Sequence, residues 1–180
     1  MNNEEREKIK KALETIERLF LDDEDRAAEF RKDLEPGDHF MFGGFEWIAL
    51  EKHGDSVFAV TAHDLENELV FSEGGSNRWY QSDVRDWLSN WASNLGVENL
   101  LPMHVLTQNE ASETLGESDD YVRLLTLEEF LRCRRLGYCP KLDGWNWTMT
   151  AHRGHAYNVW VVPSSGYVAT SAAYTGFRVC

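Results

Sequence analysis

Residues Trp145–Cys180 read WNWTMTAHRGHAYNVWVVPSSGYVATSAAYTGFRVC, and the reading of this stretch decides the fold. It carries no helix-period run; it alternates. Trp145, Trp147 and Met149 are expected on one face of an extended strand, with Asn146, Thr148 and Thr150 on the other. A second strand, Tyr157–Val162, is rich in β-branched and aromatic residues. Pro163-Ser164-Ser165-Gly166 is expected to turn it back into Tyr167–Thr170, and Gly176–Val179 forms the last strand. Strands this short need a wall to pack against, which the rest of the chain must supply.

Working outward, the clearest helix starts at Ser82. Ser82 suits an N-cap, Asp83 and Asp86 suit the positive end of the dipole, and Val84, Trp87, Leu88, Trp91 and Leu95 form an apolar stripe ending at Gly96. Thr126-Leu127-Glu128-Glu129 has the pattern of a capping box and opens a second helix running to Gly137. Tyr121–Leu125 before it reads as a strand, Met103–Thr107 as another, and Gln108–Asp120 as a long acidic loop. Upstream, His39–Phe42 leads through Gly43-Gly44 into Phe45–Leu50. His53-Gly54-Asp55 turns the chain back into Ser56–Ala62, and polar, Gly-rich Asn67–Ser76 reads as surface loop. Residues 1–36 read as an N-terminal helical segment, its stripe running through Ile9, Leu13, Ile16 and Phe20, until Pro36-Gly37 ends it. The segment either packs on its own domain, residues 37–180, or serves as a docking or dimerisation helix.

The totals narrow the function. With 180 residues, 42% hydrophobic content and seven Trp, the chain has enough material for one packed domain. A formal net charge of −13 argues against gripping nucleic-acid phosphates or an anionic membrane. It leaves open a basic protein partner. No apolar run approaches a membrane span, no secretion signal is apparent, and three cysteines do not make a disulfide framework; Cys133 and Cys139 could pair, but a cytoplasmic protein with reduced thiols is expected.

Four segments, in order, resemble a bacterial and phage domain of unknown function with a C-type-lectin-like fold. They are Phe42–Leu50; Trp79 with Ser82–Leu88; Asp120–Glu129; and Trp145-Asn146-Trp147 followed by Gly166 and Gly176-Phe177-Arg178. Two departures stand on the last strands: Trp147-Thr148-Met149-Thr150 replaces a Trp-Leu-Arg-Ser stretch, and Arg178-Val179 replaces Arg-Pro. The resemblance implies an α+β fold with a mixed, mostly antiparallel sheet and two flanking helices. It also implies that the strands around Trp47 and Phe177 pair, closing the domain's ends on each other. Proteins of this fold, including the variable proteins of diversity-generating retroelements, mostly bind proteins or glycans. That points to a non-enzymatic binding module.

The candidate contact set is Asn146, Thr148, His152, Arg153, His155, Tyr157 and Tyr174, since Tyr, Asn and Arg suit adaptable recognition. The competing reading is a plain solvated sheet face. His152-Arg153-Gly154-His155 is the most metal-like cluster, yet a structural zinc site wants four well-spaced ligands. Trp145-Asn146-Trp147 lacks the carboxylate of calcium lectins. No metal or other cofactor is expected. Cys133 sits among Arg132, Arg134 and Arg135, which would lower its pKa if it were exposed; a buried thiol is the alternative. Arg85 and Arg178 are read as structural, Arg85 pairing Glu46 or Asp86. Two rivals to the binding module remain. One is an acidic phage or bacterial inhibitor filling a basic groove of a host protein. The other is a cryptic enzyme on the scaffold of the formylglycine-generating enzymes, whose catalytic cysteine arrangement is not recognisable here. Oligomeric state is left open.

Overall fold

The computed structural model describes residues 33–96, 99–165 and 167–180. The helical reading of residues 1–36 lies outside the described residues except at its end. The chain divides into two compact units, residues 1–38 with 49–58 and residues 39–48 with 59–180. In the first, the expected turn is present: Ser56 Oγ donates to His53 O at 2.8 Å around Gly54, whose φ is +62°.

The second unit is α+β, with mostly antiparallel sheets and two helices. Strands β1 (His39–Phe42) and β2 (Phe45–His53) pair antiparallel with Phe42 opposite Phe45. Gly43 and Gly44 join them at φ +58° and +83°, a two-residue turn that favours glycine twice over. A Cβ on Gly43 would also lie 2.5 Å from Leu95. With β3 (Ser56–Thr61) these strands make a sheet in the order β1-β2-β3.

The main sheet takes strands from far apart in the chain. Strands β4 (Leu65–Val70), β7 (Trp145–Ala151), β8 (Asn158–Pro163), β9 (Ala169–Ala172) and β10 (Gly176–Val179) lie in the order β4-β10-β7-β8-β9. Only the β10–β7 pair is parallel. Its inner face carries the core. Trp147 packs edge-on to Phe177 at 4.9 Å, tilts against Phe71 at 5.4 Å, and donates its indole N–H to Leu69 O. Burying side chains of this size contributes about 1.5–3 kcal/mol each before entropy is counted.

Two helices sit between β4 and β7 in the chain. Helix α1 (Asp83–Ala92) starts where Ser82 Oγ accepts from Arg85 N, and ends through a 3-10 turn at Gly96, in left-handed conformation. It turns Val84 and Leu88 into the core, while Trp87 and Trp91 stack on each other and Trp91 meets Phe45 and Trp47. Helix α2 (Leu127–Leu136) has the complete capping box read from Thr126 and Glu129, and Gly137 caps its end. Strands β5 (Met103–Gln108) and β6 (Thr114–Asp120) form a separate antiparallel hairpin.

Four expectations are corrected. Trp47 pairs with Phe40 in the β1–β2 sheet, whereas Phe177 pairs with Leu69. The strand that closes on the end of the chain is therefore β4, whose residues 67–70 read as the start of the 67–76 loop. An edge strand needs apolar residues on one face only, so Glu66–Glu68 between Leu65 and Leu69 hide it. The acidic 108–120 loop is the β5–β6 hairpin. Asn109 Oδ1 nucleates its turn by accepting from the N–H groups of Ala111 and Glu113, and Ser112 takes φ +60°. Tyr121–Leu125 is not a strand; Leu124 and Leu125 reach the core from irregular backbone. Finally, both faces of β7 are buried from Asn146 to Ala151, not one. It is an interior strand, and its register against β8 slips between Trp147 and Ala151.

Candidate functional site

That buried second face removes two residues from the expected contact set. Asn146 and Thr148 are 0% and 1% exposed. Asn146 donates to Asp64 Oδ1 at 2.9 Å, and Asp64 also pairs with Arg178. Thr148 donates its hydroxyl to Trp160 O at 2.8 Å. Its neighbour Thr150 accepts from Leu127 N and so helps cap α2 from the sheet. These polar side chains knit the interior together and cannot meet a ligand.

The remaining residues gather on the β7–β8 loop. His152, Arg153, His155 and Tyr157 line residues 152–157, and Tyr174 follows Ala173, whose N–H donates to Tyr157 O at 2.8 Å. Tyr157 and Tyr174 are 51% and 64% exposed. The loop is held from beneath. Asn77, buried, aims its side-chain amide at three carbonyls, those of His152, His155 and Asn158, at 3.0–3.2 Å. Its backbone N–H bonds Ala156 O at 3.0 Å. Within the loop, Gly154 N donates to His152 Nδ1 at 3.1 Å, which places the proton of neutral His152 on Nε2.

A second clamp comes from the turn after β5. The Glu110 carboxylate accepts from Arg153 N at 3.0 Å and from Trp160 Nε1 at 3.2 Å. Partial burial opposes its ionisation, but its own backbone N–H, these two donors and nearby His152 outweigh it and hold the carboxyl below the usual value. The rings run in a ladder: Trp160 to His152 at 5.7 Å, His152 to His155 at 5.4 Å and only 20° from parallel, His155 to Tyr157 at 6.0 Å. Asn77, Glu110 and Trp160 were not among the sequence candidates. Trp160 had a signal, since it alternates with buried Val159 and Val161; the other two lie far off in the chain and had none.

Elsewhere, a cleft of about 240 Å³ is lined by Phe130, Arg134, Cys139, Lys141, Leu142 and Pro163, and by none of the contact candidates. Cys133 is buried on α2, and burial pushes its thiol up to about 11 despite Arg132. Arg85 is structural as read, but its partner is Asp120 at 2.7 Å; Asp86 lies at 3.9 Å. Among the described residues, no group of three or more His, Cys, Asp or Glu is arranged to hold a metal ion. No helix among them is long and apolar enough to cross a membrane. No protein-family model matches the chain, and neither a curated protein nor a solved structure is significantly similar to it.

Proposed function

We propose that this chain is a non-enzymatic binding module that recognises a protein or glycan through the 152–157 loop and the adjoining rings. The observation that carries the reading is the double clamp. Asn77 and Glu110 hold a short exposed loop in one conformation, and preorganisation of this kind lowers the ordering cost of binding. The ring ladder offers aromatic edges and imidazole nitrogens as hydrogen-bonding groups. The lectin-like form of the fold belongs to the same proposal. Its support is that β10 runs antiparallel to a strand preceding both helices and parallel to the first strand after them. A cytoplasmic setting is also kept, with three free thiols in its favour.

The test is to screen the protein against a glycan array and a displayed peptide library. Binders that survive Leu136→Ala but are lost in an Arg153→Ala/His155→Ala/Tyr157→Ala variant with unchanged melting support the reading. Binders indifferent to the triple change overturn it.

A second reading, an acidic inhibitor of a basic host protein, is favoured by the β5–β6 hairpin, which holds Glu117 and Asp119 more than 70% exposed. Its partner would bind with affinity falling steeply as salt rises; binding indifferent to salt removes it.

A further inference from the structure

Strand β9 ends the main sheet, with β8 on one side and no strand among the described residues on the other. Which of its backbone groups point outward follows from the bonds of β8. Asn158 stands opposite Ala172, yet its N–H goes to His155 O and its carbonyl accepts from His152 N. Asn158 and Ala172 are therefore a non-hydrogen-bonded pair, and by alternation so are Trp160 and Thr170. Thr170 and Ala172 thus direct their N–H and C=O groups off the free edge. Of these, among the described residues, only the Ala172 carbonyl has a partner, Thr175 N at 2.9 Å.

Exposed edges are ordinarily blunted by Lys, Pro or a covering element. Among the described residues this one has none of them. No Asp, Glu, Lys or Arg occurs between Arg153 and Arg178, in a chain in which 27% of residues are charged. Tyr167 and Tyr174, 78% and 64% exposed, flank the strand.

We propose that β9 is the contact between two copies of this chain, which pair edge to edge as antiparallel strands about a two-fold axis. The charge decides the occupant. A partner chosen by electrostatics would be steered to the acidic surface. A copy bearing the same net charge of −13 is repelled there, and meets its twin without burying charge along this charge-free edge. An antiparallel edge is also self-complementary, as an isologous dimer requires. Centred on Ser171, the pairing sets Thr170 of one copy opposite Ala172 of the other, and the Tyr167–Val168 end against the Tyr174 end. This takes Tyr174 out of the ligand set. It does not depend on what the 152–157 loop binds.

The experiment is sedimentation velocity of the full chain over a concentration series. A contact this small is expected to give a weak dimer, dissociating on the order of tens of micromolar. Because the copies repel elsewhere, added salt is expected to tighten it severalfold. Thr170→Pro removes the outward N–H, and Thr170→Lys places a charge on the edge; each is expected to weaken the dimer at least tenfold with an unchanged near-ultraviolet spectrum. If the proline variant does not fold, the lysine variant decides. Amide exchange at Thr170 and Ala172 is expected to slow as concentration rises. A chain monomeric at hundreds of micromolar overturns the proposal. So does a dimer indifferent to both substitutions or loosened by salt. Slow exchange at these amides at every concentration also overturns it, since the edge would then be covered within a single copy.

Discussion

The side-chain amide of Asn77 donates to the carbonyl of His155 at 3.0 Å, joining two residues 78 positions apart. The same nitrogen serves His152 and Asn158, so one buried side chain sets the path of the whole 152–157 loop. Replacing it takes a donor from all three carbonyls; those of His155 and Asn158 keep the backbone N–H groups of Asn158 and His152, while that of His152 loses this bond, at about 1–3 kcal/mol in all. Asn77→Ala should lower the melting temperature and speed amide exchange across residues 152–158. Asn77→Asp should be no better, because a carboxylate there faces carbonyl oxygens. Exchange unchanged in the alanine variant would show that the loop is held by other means.

Asp120 is the second linchpin. It is fully buried and accepts from Trp79 Nε1 and Ser118 Oγ at 2.8 Å each, and from Arg85 Nε at 2.7 Å. Asp120→Asn puts an amide against these donors and leaves the guanidinium only the Asp119 carbonyl at 3.4 Å and the Asp86 carboxylate at 3.9 Å. A loss of about 3–5 kcal/mol is expected in denaturant titration. Arg85→Met in the same background should add less than it costs alone, the signature of direct coupling. Strict additivity would contradict the pairing.

Glu129 makes stability depend on pH. Burial alone would raise its carboxyl, but two hydrogen bonds from Arg123, that residue's charge and the Thr126 N–H and hydroxyl outweigh burial and hold it below 4.5. A carboxyl depressed in the folded state stabilises above its unfolded value, and that contribution fades as pH falls through the folded one. The stability gap between wild type and Glu129→Gln should therefore shrink as pH is lowered from about 7 to about 3. A gap constant over that range would mean that the carboxylate contributes through its shape and not its charge.

Thiol reactivity checks the packing of α2. Burial pushes both Cys133 and Cys139 up to about 11, so little thiolate forms near neutrality. Aromatic disulfide reagents at about pH 8 should label Cys133 far more slowly than a free cysteine, and guanidinium should release it. Labelling of Cys133 at the free-thiol rate in the native protein would place it outside the core.

How much was legible in the sequence follows from where each signal resides. The capping box at Thr126–Glu129, the Ser82 cap, the Gly43-Gly44 turn and the strand Gly176–Val179 are local: each depends on residues a few positions apart. The β5–β6 hairpin escaped because Thr114–Asp120 carries one apolar residue, Leu115, and is held by pairing instead of pattern. The contact set divided the same way. Asn146 and Thr148 look exposed by alternation along β7, but alternation says which residues share a face and not whether a second layer covers that face.

Chain order and chemistry alone determined the two helices and their caps, the strand-rich C-terminal half, the acidic charge and the cluster of rings between β7 and β8. Only the tertiary structure decided that β4 and not β2 closes on β10, that both faces of β7 are interior, and that Asn77 and Glu110 meet the loop from 75 and 43 positions away. The physical reason is one of range. Helix caps and turns are satisfied by neighbours along the chain, whereas strand partners and buried amides are satisfied by whatever backbone the completed core brings alongside.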